Sequence, residues 1–104
     1  GGRQLDGASS TINILPEIVD TVGKMTEIHL DGGIRSGQDV VKAMCLGAKG
    51  TYIGRAFLYG LGALGKKGVS KALEIIQAEA DMTMALCGRR DVQDLNLENI
   101  YKKK

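Results

Sequence analysis

The chain reads as an α/β fold with parallel strands, and two observations predict it. Runs with strand character alternate with stretches of helical spacing, in the order loop, helix, strand, helix, strand, long loop, helix. Both strand runs, Glu27-Ile28-His29-Leu30 and Thr51-Tyr52-Ile53, then pass into glycine and arginine: Asp31-Gly32-Gly33-Ile34-Arg35-Ser36-Gly37 after the first, Gly54-Arg55 after the second. Two strands do not close a sheet. A parallel pair needs neighbours on both sides and helices on its faces, so either the rest of a barrel lies outside this chain or copies of it associate.

Residues 1–10 are glycine-rich and polar and are expected to form a loop. Ile12, Leu15, Ile18, Val19 and Val22 then mark a helix ended by Gly23, with Pro16 tolerated in its first turns. Met25 to Leu30 is the expected first strand. Ser36 followed by Asp39 resembles a capping box, opening a helix whose buried face is Val40, Val41, Met44 and Cys45, closed by Gly47. After a turn at residues 48–50 comes the second strand, Thr51 to Ile53. Gly54 to Gly68 reads as a long loop with at most a helical turn near Phe57 to Leu61. The last helix is expected from Val69 to Cys87, on the spacing of Val69, Leu73, Ile76, Ala80, Met84 and Cys87, with Gly88 as its cap.

A chain of 104 residues is the size of one domain with a modest core. It has no initiator methionine or signal peptide and starts in mid-motif, so residues 1–104 are expected to be a piece of a longer polypeptide. Net charge is +2, with the excess gathered in Lys66-Lys67 and Lys102-Lys103-Lys104. That is no broad basic face, and aromatics are too few for base stacking, which excludes nucleic acid. Cys45 and Cys87 lack a CxxC or a histidine at ligand spacing, so no metal site is expected, and both read as reduced core thiols of a cytoplasmic protein. No apolar run reaches the roughly 20 residues of a spanning helix, although the lysines leave room for peripheral attachment at the inner face of a membrane.

The two strand, glycine, arginine units form the candidate site, an anion cradle built twice. Glycine admits backbone N–H groups to an anion without a Cβ in the way, a helix start adds unpaired N–H groups, and arginine adds a planar fork of donors. A phosphorylated cofactor fits better than a metal. Gly60-Leu61-Gly62-Ala63-Leu64-Gly65 matches GxGxxG, and residues 60–66 match most of a Walker A loop. Both are read as accidental: Lys67 stands where a P-loop needs Ser or Thr, and no strand immediately precedes the glycines. His29, the only histidine, is expected to pack within the strand beneath the helices rather than to act in catalysis. Ser9 and Ser10 lack a partnered base. Arg3 lies in a glycine-flanked loop, with Gln4 and Asp6 placed to hold it by hydrogen bonds.

From Gly1 to Leu95 the chain resembles the C-terminal part of the FMN-dependent α-hydroxy acid dehydrogenase and oxidase family, which includes glycolate oxidase, lactate oxidase and the respiratory L-lactate dehydrogenases. GGRQLDG is the specific piece, supported by Phe57-Leu58-Tyr59-Gly60 and Met84-Ala85-Leu86-Cys87-Gly88. DGGIRSG and the LGA…IGR pattern are shared more widely, with inosine monophosphate dehydrogenase among others, so they indicate a site type more than a substrate.

The resemblance implies a TIM barrel whose last two strands lie here, with phosphate binding after strands seven and eight. It implies FMN as cofactor and oxidation of an L-2-hydroxy acid, lactate or glycolate foremost, to the 2-oxo acid. Arg3 would pair with the substrate carboxylate and Asp31 would bond the ribityl chain. Gly32, Gly33, Arg35, Gly54 and Arg55 would hold the phosphate, with Ile34 in the same loop. In the family the proton-accepting histidine belongs to a Ser-Asn-His triplet directly before GGRQLDG, so this piece alone is expected to be inactive. A homo-oligomer is expected, and oxygen, a cytochrome and a quinone all remain open as electron acceptor. Two other readings stand beside this one: another FMN or phosphate-binding barrel of the inosine monophosphate dehydrogenase kind, and a self-associating phosphate-binding module without catalysis.

Overall fold

The structure, a computed structural model, describes residues 3–101. Gly1 and Gly2 of the GGRQLDG stretch, and the lysine tail, lie outside the described residues. In order come helix α1 (Thr11–Val22), strand β1 (His29–Asp31), helix α2 (Gly37–Cys45), strand β2 (Gly50–Tyr52) and helix α3 (Arg55–Leu86), followed by two short 3-10 turns, Val92–Asp94 and Leu97–Asn99. The strands pair in parallel, His29 against Gly50, Leu30 against Thr51 and Asp31 against Tyr52. The α/β order expected from the sequence is present.

One face of this two-stranded sheet is covered. Leu30 points into a core with Leu15, Ile34, Ala43 and Ala48, and Ile12, Val19, Ile28 and Val40 close around it. The amphipathic stripe of α1 is therefore Ile12, Leu15 and Val19, while Ile18 is left 43% exposed. A second cluster joins α2 to the end of α3 through Val41, Cys45, Met84 and Leu95. Burial pushes the Cys45 thiol above its ordinary range, neighbouring Cys87 adds to the rise, and Arg89 opposes it.

Several expectations are corrected. The first strand is His29–Asp31, not Met25 to Leu30: the chain leaves α1 through a turn in which Met25 and Thr26 both donate to the Val22 carbonyl, leaving Met25 80% exposed. The second strand is Gly50–Tyr52, one residue earlier than expected. Residues 55–68 are not a loop, because α3 starts at Arg55. It breaks only at Leu64 and Gly65, where Gly65 takes a φ of +58°, and there the helix folds back on itself. Gly60 and Gly68 then meet backbone to backbone, and a Cβ on either would strike the main chain of the other. The glycines that resembled a phosphate loop thus serve a close crossing of two helical segments, whose packing offsets the helix penalty of glycine.

Cys87, expected in the core, is exposed, because α3 ends at Leu86. Leu73 is likewise 51% exposed. His29 is not packed beneath the helices: Leu30 faces them, so alternation turns His29 and Asp31 to the uncovered face. Gly47 and Gly88 close their helices at positive φ as expected, whereas Gly23 ends α1 in helical geometry.

Candidate functional site

At the carboxyl end of the parallel pair, where α/β sheets present their ligand crevices, lies a groove of about 510 Å³. Every residue predicted for the site lines it: Arg3, the Asp31 to Arg35 loop, and Gly54 with Arg55. Residues 28 positions apart along the chain, from Arg3 to Asp31, are brought together by the return of α1 across the sheet.

The loop after β1 has the backbone the sequence implied. Gly32 and Gly33 take φ of +105° and +77°, which an L side chain rarely adopts. A Cβ on Gly33 or Gly54 would meet nothing within 4 Å and would project into open space. Ile34, by contrast, is 5% exposed and anchors the loop in the core, so the groove receives its main chain rather than its side chain.

The two helix starts differ. At α2, Ser36 Oγ accepts from the Asp39 N–H at 3.2 Å, and the Asp39 carboxylate accepts in turn from the Arg35 N–H at 3.1 Å. The Gly37 N–H donates to Glu79 of α3 at 2.8 Å. Three amides near that helix end are thus satisfied by the chain's own groups, two of them by carboxylates. At α3 no side chain caps Gly54 and no acid stands in the first turn. The free positive helix end beside the groove is therefore that of α3.

Three guanidiniums, Arg3, Arg35 and Arg55, face one carboxylate, Asp31, along the groove, an excess of two positive charges. Among the described residues none of the three is held in an ion pair. Gln4 and Asp6 make no side-chain hydrogen bond among the described residues and do not brace Arg3. No group of His, Cys, Asp and Glu side chains among the described residues could hold a metal ion. The arrangement suits a ligand carrying a doubly charged oxyanion and one hydroxyl or amide able to donate to Asp31. A second crevice across the Gly32-Gly33 loop, lined by Ser10, Ile12, Asp39 and Lys42, is more apolar and contains no arginine.

Sequence reasoning missed Tyr52, Leu58 and Tyr59, which also line the groove. Tyr52 enters because it pairs in register with Asp31. Leu58 and Tyr59 enter because α3 starts at Arg55, which places its first turn over the site. Only the register and the helix start reveal them.

A family model described as FMN-dependent dehydrogenase matches residues 1–102. The chain is 50% identical over 102 residues to 2-hydroxyacid oxidase 1 of Homo sapiens, covering 98% of this chain and 28% of that protein. It is 50% identical over 96 residues to an L-lactate dehydrogenase of Caulobacter vibrioides, covering 92% of this chain and 25% of the relative. Among solved structures, a soluble mutant of the membrane-associated (S)-mandelate dehydrogenase from Pseudomonas putida superposes with a TM-score of 0.92 at 40% identity, over 99% of this chain and 29% of that one. Flavocytochrome b2 with pyruvate bound follows at 0.87 and 41%, over 93% and 26%. The chain spans less than a third of the length of these proteins. With a family match across nearly its whole length and half its residues shared with such relatives, the chain belongs to the FMN-dependent dehydrogenase family, whose cofactor is FMN.

Proposed function

We propose that this chain is the C-terminal portion of a TIM-barrel flavoenzyme and supplies the part of its site that holds the FMN phosphate and the carboxylate of an L-2-hydroxy acid, with lactate and glycolate the foremost substrates. The observation that carries the reading is the convergence of Arg3, Arg35 and Arg55 on one groove floored by glycines at positive φ. The residues fit the cofactor. The open space beside Gly33 and Gly54 is a cradle that a Cβ would fill, and the uncapped start of α3 adds a positive end for a phosphate.

On this reading Arg35, Arg55 and the amides around Gly33 and Gly54 bind the phosphate, and Asp31 accepts from a ribityl hydroxyl. Arg3 binds the substrate carboxylate in a two-pronged contact and so orients the carbinol carbon. Bound FMN supplies the two-electron acceptor for oxidation of the hydroxyl to a ketone. No histidine lines the groove. The base that takes the substrate proton is therefore assigned outside these residues, and the 104-residue piece alone is not expected to turn over substrate. The family match favours this reading over the inosine monophosphate dehydrogenase alternative.

The test is FMN titration of the full-length protein by flavin fluorescence quenching, with Arg35→Ala and Arg55→Ala beside wild type. A charge-assisted hydrogen bond is worth about 1.5–3 kcal/mol, so each substitution should weaken FMN roughly 10- to 100-fold. Anaerobic addition of L-lactate or glycolate should then bleach the flavin of the wild type, and Arg3→Ala should raise the concentration required by a similar factor. Unchanged FMN affinity in both arginine variants would overturn the phosphate assignment.

A further inference from the structure

Beneath the groove, on the uncovered sheet face, lies a polar group that the assigned roles do not use. The His29 imidazole lies over Gly50, its cross-strand partner, where a Cβ would meet the ring at 3.4 Å. Its Nδ1 is 3.3 Å from the Tyr52 hydroxyl and its Nε2 is 3.6 Å from the Glu27 carboxylate. The two rings stand 5.8 Å apart, tilted by 42°. The imidazole is thus held on three sides, and one of its holders, Tyr52, is a wall of the groove.

We propose that His29 is a positioning residue that sets which way the Tyr52 hydroxyl donates. With the imidazole neutral, the Glu27 carboxylate favours hydrogen on Nε2, so Nδ1 is an acceptor and the phenol hydrogen points down to it. When the imidazole takes a proton from solvent, Nδ1 becomes a donor. The Tyr52 oxygen then accepts, and its hydrogen is released toward the groove, where it meets an anionic ligand. One N–H bond forms at Nδ1, its proton taken from a solvent O–H, and no other covalent bond changes. The inference rests on the proposed reading of the groove as an FMN and hydroxy acid site, in which this sheet face lines the barrel interior.

The groups that face the imidazole are few. Asp31 belongs to its own strand and Glu27 to the segment just before it, and Tyr52 comes from β2, with Gly50 adding no side chain. Lys49 lines the separate crevice beside Glu27 and Thr26. The helices cover the opposite face, through Leu30. Protonation of His29 therefore acts on the groove through Tyr52, which hydrogen-bonds the imidazole and also lines the groove.

The experiment is FMN titration of the full-length protein at pH 5.5 and pH 8 in wild type, His29→Gln and Tyr52→Phe. The FMN phosphate titrates across this range in all three, so the quantity read is the ratio of variant to wild-type Kd at each pH. Both variants should bind about 3- to 10-fold more weakly than wild type at pH 5.5 and within about 2-fold at pH 8, as the loss of one hydrogen bond predicts. A purely structural role for His29 would weaken binding equally at both values and would overturn the proposal. A pH-dependent loss in His29→Gln that Tyr52→Phe does not share would overturn the route through the phenol. Tyr52→Phe keeps the ring and removes only the hydroxyl, so it decides the question even if His29→Gln does not fold. Failure of the wild type to bind FMN would instead refute the reading of the groove itself.

Discussion

Gly33 and Gly54 look equivalent in the sequence, each following a strand, yet they carry different constraints. Gly33 takes a φ of +77°, whereas Gly54 stands at −117°, outside the left-handed region. Alanine at Gly33 should cost about 1–2 kcal/mol of folding free energy, and alanine at Gly54 less than about 1 kcal/mol. On the proposed reading both Cβ atoms enter the space of the FMN phosphate, so both variants should bind FMN more weakly. Denaturant unfolding paired with FMN titration checks this, and a greater stability loss at Gly54 would contradict the backbone assignment. Cys45 and Cys87 separate in the same way. The buried Cys45 thiol is held above its ordinary 9.0, so the unfolded chain ionises first as pH rises. Stability at that position is full below pH 9.0 and is lost as pH climbs from there toward the raised folded value. Iodoacetamide at pH 8 should alkylate exposed Cys87 at least about 10-fold faster than Cys45, and equal rates would show that the α2 to α3 packing is open.

At the scale of elements, two helix contacts hold the site in place. The break at Leu64 and Gly65 folds α3 so that Gly60 and Gly68 touch through their main chains. Gly68→Val should therefore force the segments apart, costing about 1–3 kcal/mol and lowering the Tm, and a Tm within about 1 °C of wild type would refute the close crossing. The second contact is the carboxylate of Glu79 on the Gly37 N–H, which ties the start of α2 to α3. Glu79→Gln keeps an acceptor and removes the charge, so a loss of about 0.3–1 kcal/mol is expected from the helix end alone. Denaturation in low and high salt measures it, because the electrostatic share should shrink as salt rises.

The whole molecule exposes more than a chain of its size should. Its accessible surface is 8044 Å² at 11.1 kDa, against about 5,700 Å² for a folded monomer of that mass. Its radius of gyration is 14.8 Å, against about 13 Å from the usual scaling. The surplus is physical: one sheet face is bare, and Leu64, Leu73, Met82 and Leu86 on α3 are each more than half exposed. A parallel sheet is stable when both faces are covered. The 104-residue chain by itself should therefore self-associate, its mass by light scattering rising with concentration. A monomer at every concentration tested would show that the bare faces are tolerated in water.

The sequence by itself determined the order of elements, the glycines and arginines that line the groove and the family, because these depend on local facts: turns that need a positive φ, apolar spacing, and donor types in a short motif. It did not determine where α3 begins, since the glycines at residues 60–68 argue against a helix locally and are accepted only because two helical segments meet there. Nor did it place His29. Alternation tells which residues share a strand face, but which face the helices cover is decided by Leu30 packing against Leu15 and Ala43 from other elements. Tyr52 reached the groove for the same reason, through its pairing with Asp31. Register and helix crossing are agreements between distant segments. Only the tertiary structure decides them, because their free energy lies in contacts that neither segment makes alone.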